Sequence, residues 1–512
     1  MAFIFPILIR STKQILLRVA VLMLFLFTAA CTSPDTQMSN EKVAASSANV
    51  AAPAPAAKSP NILLMIGDDM GNESLSCFEI GENTAKTPTL DQLCDEGVRF
   101  DNFWSQPICT PTRATLMTGR YGFRTGVGRP TGDKDAKGYF PEPPPKPESA
   151  PYEPPRPNRP GPANAPSDYG IQLSELTLPN VIKANADPGY ATAAIGKWHI
   201  ADTRNGWEKH PNTVGFDHFS GLIRGFPDSF FAWNKVVNGE WSGETGYTPN
   251  DKAADAIAWL NQQENDPWFM WFAFNLPHTP LHLPPADLLN SDYSALDPKA
   301  DPSDDPIPYF RAMLEAMDSQ IEKILNSLSE QERANTYVIF MGDNGSTRNT
   351  ITEPFRSTGS KGTIYQGGVN VPLIVSGPGV KQGVSKALVN STDLFSTIIE
   401  LAGIDADKAL PKNLSLDSTS IVPYLSDPAA KSIRQFVYAD VFAGNFDGIE
   451  DANFALRNQR YKVLRHQGNI EFYDLQEDPY EQINLLKGEL TPAERTEYES
   501  LSQQVADLRS SE

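Results

Sequence analysis

Two short apolar runs, far apart in the chain, end on the same dipeptide. Asn61-Ile62-Leu63-Leu64-Met65-Ile66 closes on Gly67-Asp68-Asp69, and Tyr337-Val338-Ile339-Phe340-Met341 closes on Gly342-Asp343-Asn344. A run without polar alternation fits a strand buried on both faces, and such strands belong to parallel sheets covered by helices on each side. Residues 310–328 place Met313, Met317, Ile321, Ile324 and Leu328 on one face of an amphipathic helix between the two runs. The expected fold is therefore α/β, a large mixed, mostly parallel sheet sandwiched by helices. Open sheets of this kind build their sites at the carboxyl ends of the strands, so the two Gly-Asp ends are expected to converge. Asp68, Asp69, Asp343 and Asn344 then form an all-oxygen set. It suits one Ca²⁺ ion, with Mg²⁺ second, and suits zinc poorly, since zinc favours His and Cys. Either pair taken alone reads equally well as a turn that ends a strand.

A second stretch carries chemistry: Cys109-Thr110-Pro111-Thr112-Arg113, continuing to Thr118-Gly119-Arg120. Thr110 suits an N-cap, Pro111 a first helical position and Gly119 a helix stop. That puts Cys109 at a helix N-terminus, where anions are favoured, with Arg113 four residues on and able to face the same side. Gly196-Lys197-Trp198-His199 offers a cation and an imidazole two residues apart, on one side of an extended segment. No His or Asn/Asp pattern of a cysteine hydrolase accompanies Cys109.

The formal charge of −20 excludes a nucleic-acid partner, which needs a basic footprint. Any anionic substrate must be held by a few basic groups concentrated in a pocket. Residues 1–30 read as a signal peptide: Arg10, Lys13 and Arg18, an apolar run from Val19 to Phe27, then small residues. Phe27-Thr28-Ala29-Ala30-Cys31 resembles the lipobox of bacterial lipoproteins, with Thr28 where Leu is usual. This implies lipidation of Cys31 and a membrane contact through that anchor only, in an exported protein on the outer membrane, facing the periplasm or the cell surface. A plain secretory signal and a soluble periplasmic protein are the alternative. Residues 31–58, rich in Ala, Ser and Pro, read as a flexible tether. Residues 59–425 form the expected catalytic domain, interrupted at 130–168 by a Pro-rich insertion with twelve prolines between 141 and 166. This excludes regular helix or sheet and leaves a disordered loop and a substrate rim as equal readings. Short alternating segments such as Tyr461-Lys462-Val463-Leu464 and Ile470-Glu471-Phe472-Tyr473, then a polar helix from about Pro492, define a C-terminal antiparallel subdomain over 426–512. Cys77 and Cys94 read equally as a disulfide or as two buried thiols.

Cys109-x-Pro111-x-Arg113 running to Thr118-Gly119-Arg120 resembles the signature of the formylglycine-dependent type I sulfatases, the arylsulfatase family of the alkaline phosphatase superfamily. The resemblance spans roughly residues 60 to 490, with the motifs in the family's order. It implies that Cys109 is oxidised to formylglycine (3-oxoalanine) by a maturation enzyme and that Asp68, Asp69, Cys109, Asp343 and Asn344 surround the calcium. It also implies that Arg113, Lys197 and Lys361 (in Lys361-Gly362-Thr363) clamp sulfate. His199 would assist breakdown of the covalent intermediate, and His278 (in Pro277-His278-Thr279-Pro280) would protonate the leaving alcohol. A tethered enzyme with a rim insertion points to a sulfated polysaccharide or its oligosaccharides, algal ones included. Gln366-Gly367-Gly368-Val369-Asn370 departs from the family's usual Glu-Gly-Gly-x-Arg by losing both charges. His282 is a rival for substrate contact, while His210, His218 and His466 belong to no motif.

Two other readings stand beside this one. A phosphonate or phosphate ester hydrolase of the same superfamily would use the same clamps, and relative turnover of aryl sulfate and aryl phosphate separates the two. A non-catalytic glycan-binding lipoprotein would bind without releasing sulfate.

Overall fold

The computed structural model describes residues 59–132, 141–154, 169–263, 266–446 and 448–511. The expected signal peptide, the tether with Cys31, and parts 133–140 and 155–168 of the insertion lie outside the described residues.

Ten strands form the main sheet: β1 (Asn61–Gly67), β2 (Val98–Phe100), β4 (Ala191–Lys197), β5 (His218–Leu222), β6 (Ala232–Val237), β7 (Glu240–Thr245), β8 (Trp268–Ala273), β9 (Thr336–Gly342), β10 (Leu373–Ser376) and β11 (Gly383–Ser385). Their order is β11-β2-β10-β9-β1-β8-β4-β5-β6-β7. The central run from β9 to β5 is parallel, β10 and β6 run against it, β7 is antiparallel to β6 and β2 to β10, and β11 is parallel to β2. The large mixed sheet expected from the sequence is present, and its parallel part sits where the apolar runs are longest.

β1 explains the centre of the fold. Successive side chains point to opposite faces: Ile62, Leu64 and Ile66 enter one core, Leu63 and Met65 the other, and all are fully buried. At roughly 1.5–3 kcal/mol for each large apolar side chain, this strand tolerates no polar face, which is why it reads as a continuous run. Helices Cys109–Thr118, Leu178–Asn185 and Asp393–Leu401 cover the first face; Pro88–Glu96, Thr248–Leu260 and Pro306–Asn326 cover the second. The last of these starts four residues before the expected position, because Pro306 occupies the first turn, where it needs no N–H partner. Leu328 stays buried just past its end.

A short pair, β3 (Phe103–Trp104) with β12 (Val389–Asn390), leads to an antiparallel sheet of β13 (Val437–Val441), β14 (Asn453–Arg457), β15 (Tyr461–His466) and β16 (Asn469–Asp474). Helix Pro492–Ser510 closes it with Leu501 and Val505. This sheet shares its core with the main body through Trp104, Ile364 and Leu388 on one side and Tyr121 and Phe123 on the other. Cys77 and Cys94 are joined as a disulfide. No helix among the described residues is long and apolar enough to cross a membrane.

A buried acid and base cluster as the candidate active site

β1 and β9 are neighbours in register, with Gly67 opposite Gly342, so their carboxyl ends deliver Asp68, Asp69, Asp343 and Asn344 to one place. The turn is fixed by backbone bonds from the Asp343 N–H to the Gly67 carbonyl (2.9 Å) and from the Met70 N–H to the Asn344 carbonyl (3.0 Å). Asp343 Oδ1 accepts the Asp69 N–H at 3.2 Å, and Asn344 donates from Nδ2 to Asp69 Oδ1 at 2.9 Å. Asp69 holds φ at +70°, a strained value for a residue with a Cβ.

Helix Cys109–Thr118 points its N-terminus at these acids. Cys109 Sγ lies 3.5 Å from Asp68 Oδ1 and 3.9 Å from Asp69 Oδ1. The helix opens two positions earlier than expected: Ile108, in extended conformation, is the cap residue, and the Thr110 hydroxyl turns away to donate to the His199 carbonyl at 2.8 Å. The helix start thus has no side-chain cap, which suits an anion. Gly119 ends it at φ +68°, as expected.

Each acid has a cation. Lys197 Nζ contacts both Asp68 oxygens at 2.8 and 2.7 Å, Arg113 Nη2 meets Asp343 Oδ2 at 2.9 Å, and Lys361 Nζ pairs with Asp69 while lying 3.5 Å from Cys109 Sγ. Three carboxylates and three cations balance, almost wholly out of solvent. Adding a divalent cation leaves an excess of positive charge that an incoming anion offsets. Burial pushes Asp68 upward against Lys197. Asp69 is also buried, but Lys361, His278 and Lys197 hold it below the usual carboxylate range. Burial, then Asp343, pushes the Cys109 thiol up to about 12, so unmodified it stays protonated and is a poor nucleophile.

Lys197 and His199 reach the site from the end of β4, though not as one flat strand face: His199 turns to φ +60°. β4 lies close against β8 because Gly196 has no side chain; a Cβ there would stand 1.9 Å from the Ala273 carbonyl oxygen. The His199 ring abuts Gly225, where a Cβ would lie 2.4 Å from it, and its Nδ1 is buried without a partner. Burial, then Lys197 and Arg113, holds this imidazole well below its ordinary value. His278 places Nε2 3.7 Å from Asp69 Oδ2. Its Nδ1 lies 2.7 Å from the Thr279 carbonyl, which fixes that hydrogen on Nδ1 and leaves Nε2 facing the cluster. Burial lowers it to about 3, against Asp69.

The oxygens fit a hard cation. Asn344 Oδ1 is buried and has no hydrogen-bond partner, while its Nδ2 donates to Asp69 and to the Gly345 carbonyl. A free, inward oxygen beside two carboxylates is what a calcium or magnesium ligand requires. One oxygen each from Asp68 and Asp69, Cys109 Sγ and a ring nitrogen of His278 lie within 4.8 Å of one another.

The structure does not bear out His282 as a substrate contact. It is fully buried, with Nδ1 at 2.9 Å from the Pro280 carbonyl and Nε2 at 3.0 Å from the Tyr247 hydroxyl. His210 is structural, accepting the Trp198 indole N–H at 2.9 Å. The charges missing around Gln366 and Asn370 reappear from another segment: Glu481, buried, accepts the Gln366 N–H at 2.7 Å and pairs with Lys462 at 2.5 Å. The described part of the Pro-rich insertion is anchored, not loose. Glu153 pairs with Lys146 (2.9 Å), accepts the Phe230 N–H (2.7 Å) and accepts the Ser229 hydroxyl. It thereby secures the loop whose Phe226 ring stacks on His278 at 5.9 Å.

Two residues near the centre carried no motif. Lys252 is buried, donates to Asn275 Oδ1 and lies 5.2 Å from the Trp233 ring centroid; burial lowers it to about 7. Asn275 accepts the His278 N–H at 2.9 Å and donates to the Gly225 carbonyl at 3.3 Å, so it spans the walls behind both histidines. The only sequence sign was a lone lysine on a helix.

The family model described as Sulfatase matches residues 60–404, and one described as N-sulphoglucosamine sulphohydrolase, C-terminal, matches 359–511. An uncharacterized sulfatase, YdeN, of Escherichia coli is 25% identical over 464 residues, covering 80% of this chain and 73% of its own. Human N-acetylgalactosamine-6-sulfatase is 30% identical over 396 residues, covering 72% and 66%. The crystal structure of Ps i-CgsB in complex with k-i-k-neocarrahexaose superposes with a TM-score of 0.68 at 22% identity, over 88% of this chain and 93% of that one, a likeness of fold.

Proposed function

The chain belongs to the sulfatase family, and on that footing we propose that it hydrolyses sulfate esters of a sulfated polysaccharide, algal types included, or of its oligosaccharides. The reaction would use formylglycine made from Cys109 and one Ca²⁺ ion. The observation that carries this reading is the meeting of Cys109 with three acids and three cations in one buried cluster. Sulfated carbohydrate as substrate is supported by what the relatives are named for: N-acetylgalactosamine 6-sulfate, N-sulphoglucosamine, and a neocarrahexaose complex.

Calcium held by Asp68, Asp69, Asp343 and Asn344, beside residue 109, would supply Lewis-acid charge next to the sulfate. Formylglycine, as its hydrate, would supply a hydroxyl where the thiol now stands. The chain's own residues do the rest. Arg113, Lys197 and Lys361 pair with the three acids gathered around residue 109 and offset the charge on the sulfate oxygens. Arg113 is held in place by the Lys197 carbonyl at 2.9 Å as well as by Asp343. His278 Nε2 faces the cluster and gives its proton to the oxygen of the departing alcohol. A bound anion favours the charged imidazole, moving its pKa in the direction an acid needs. His199, kept neutral by burial and its cationic neighbours, is suited to take a proton from the hydroxyl of residue 109.

We further propose that the protein is exported, loses residues 1–30, is lipid-anchored at Cys31 on the outer membrane and meets a formylglycine-generating enzyme. Residues 59–425 would act as the catalytic domain and 426–512 as the C-terminal subdomain.

The test is turnover of aryl sulfate and aryl phosphate by purified protein made alongside a maturation enzyme, with mass measurement of the Cys109 peptide. Faster sulfate release, an aldehyde mass at 109, and activity lost to a chelator and restored by Ca²⁺ better than by Zn²⁺ are expected. Faster phosphate release would select the phosphate-ester reading; full activity with unmodified cysteine would overturn the nucleophile.

His278→Ala separates proton donation from sulfate binding. A sugar alkoxide leaves poorly without a proton, whereas nitrophenolate leaves unaided. The variant is expected to lose about 100-fold or more in kcat on a sugar sulfate, and far less on nitrophenyl sulfate. Equal losses on both would reject the acid role.

A further inference from the structure

A cleft of about 1200 Å³ opens between the edge of the main sheet and the C-terminal subdomain, and none of the residues of the catalytic cluster lines it. Its walls carry Lys386, Lys431, Arg434 and Arg460 against one carboxylate, Glu497. Arg434 is engaged by Asp393 at 2.7 Å and Arg460 by Asp474 at 2.6 Å, and neither acid lines the cleft. Glu497 accepts the Asn458 side-chain N–H at 3.0 Å. Lys386 and Lys431 are exposed, and neither ammonium has an acid partner among the described residues. In a chain of net charge −20, two unpaired cations in one concave wall make a local reversal of sign.

The place of the cleft relates it to the reaction. β9 and β2 both run antiparallel to β10, and β11 runs parallel to β2, so Lys386 leaves β11 at the edge of the sheet where Asp343 leaves β9. Three strand spacings lie between them, about 14 Å. A side-chain link fixes the lysine loop, since Asn102 Nδ2 donates to the Lys386 carbonyl at 2.9 Å and its Oδ1 accepts from Arg457 Nη1 at 3.2 Å.

We propose that this cleft is a second, non-catalytic binding site for the sulfated polysaccharide, holding sulfate groups of the polymer some distance from the ester being cleaved. The proposal rests on the reading of the substrate given above. A polymer with repeated sulfates presents several anions to one sheet edge. Those not in the catalytic cluster meet a largely acidic surface everywhere except where cations stand unpaired. The cleft would therefore raise affinity for polymer while leaving chemistry on a small ester untouched.

The experiment compares full-length protein with the Lys386→Glu/Lys431→Glu double variant. Binding is measured on a Cys109→Ala background with a sulfated galactan, its desulfated form and a polycarboxylate, across a salt series. The double variant is expected to bind the sulfated galactan at least about 10-fold more weakly, with a smaller salt dependence by about one to two released counterions. In the active protein, KM for the polymer should rise while kcat/KM for nitrophenyl sulfate stays within about twofold. Unchanged polymer affinity would overturn the proposal, as would equal binding of the desulfated form. Tighter binding of the polycarboxylate than of the sulfated galactan would assign the cleft to another acidic partner. Loss of nitrophenyl sulfate turnover in step with polymer affinity would also overturn it, by making the lysines supports of the fold. If the unsubstituted protein releases no sulfate from any ester, the proposed function fails, and the binding series still decides the cleft.

Discussion

Cys109→Ala should lower sulfate-ester turnover by roughly 10⁴-fold or more, the scale on which loss of a nucleophile acts, while the protein folds and melts nearly as before. Cys109 Sγ makes only long contacts, at 3.5 Å to Asp68 and to Lys361 and 3.9 Å to Asp69. The pairs that neutralise the cluster, Lys197 with Asp68 and Arg113 with Asp343, do not involve it. Deleting one buried sulfur costs about 1 kcal/mol by loss of contact. Residual turnover within tenfold of the starting protein would remove residue 109 from the chemistry. A large drop in melting temperature would make it a support of the cluster instead.

Asp343→Ala is expected to fail on both counts, and the contrast is diagnostic. Asp343 and Arg113 meet at 2.9 Å with no solvent exposure on either side chain. Removing the carboxylate leaves a buried guanidinium whose Nε already lacks a partner, and it takes the acceptor from the Asp69 N–H. Breaking such a pair costs about 3–5 kcal/mol. Asp343 also raises Asp68 and Cys109, so its loss relieves some repulsion. That relief acts through charges already offset by Lys197 and Lys361 and is the smaller effect. Asp343→Asn keeps an acceptor for Asp69 and should recover part of the stability but none of the activity. Melting of Asp343→Ala at the temperature of the unsubstituted protein would show that the pair is not what holds Arg113.

What the sequence made legible follows from contiguity. β1 and β9 announce themselves because a strand buried on both faces leaves no polar position, and the residue after each glycine then falls at the sheet edge. The helix opened by Cys109 was legible to within two residues; Thr110 looked like its cap but satisfies the His199 carbonyl, a contact across 89 positions. The unread part consists of such contacts. Nothing periodic marks Lys252 and Asn275 behind the histidines, or Glu153 holding Ser229 and Phe230. The charge missing at Gln366 returns in Glu481, 115 positions later. His282, four residues after His278, stood as a rival for substrate contact without a motif of its own, and its enclosure by Tyr247 and the Pro280 carbonyl rules it out.

The pairing of β1 also sets a timetable. Its two neighbours are β8 and β9, about 200 and 270 residues downstream. Contacts of such separation form late, because the intervening loop must first be closed. Through that interval a strand apolar from Ile62 to Ile66 waits with both edges unpaired, exposed to association with other chains. Cys109 waits as well. In the finished fold it is only 2% exposed, so any enzyme that oxidises it has to reach it before β9 docks, while the residues destined to surround it are still far away along the chain.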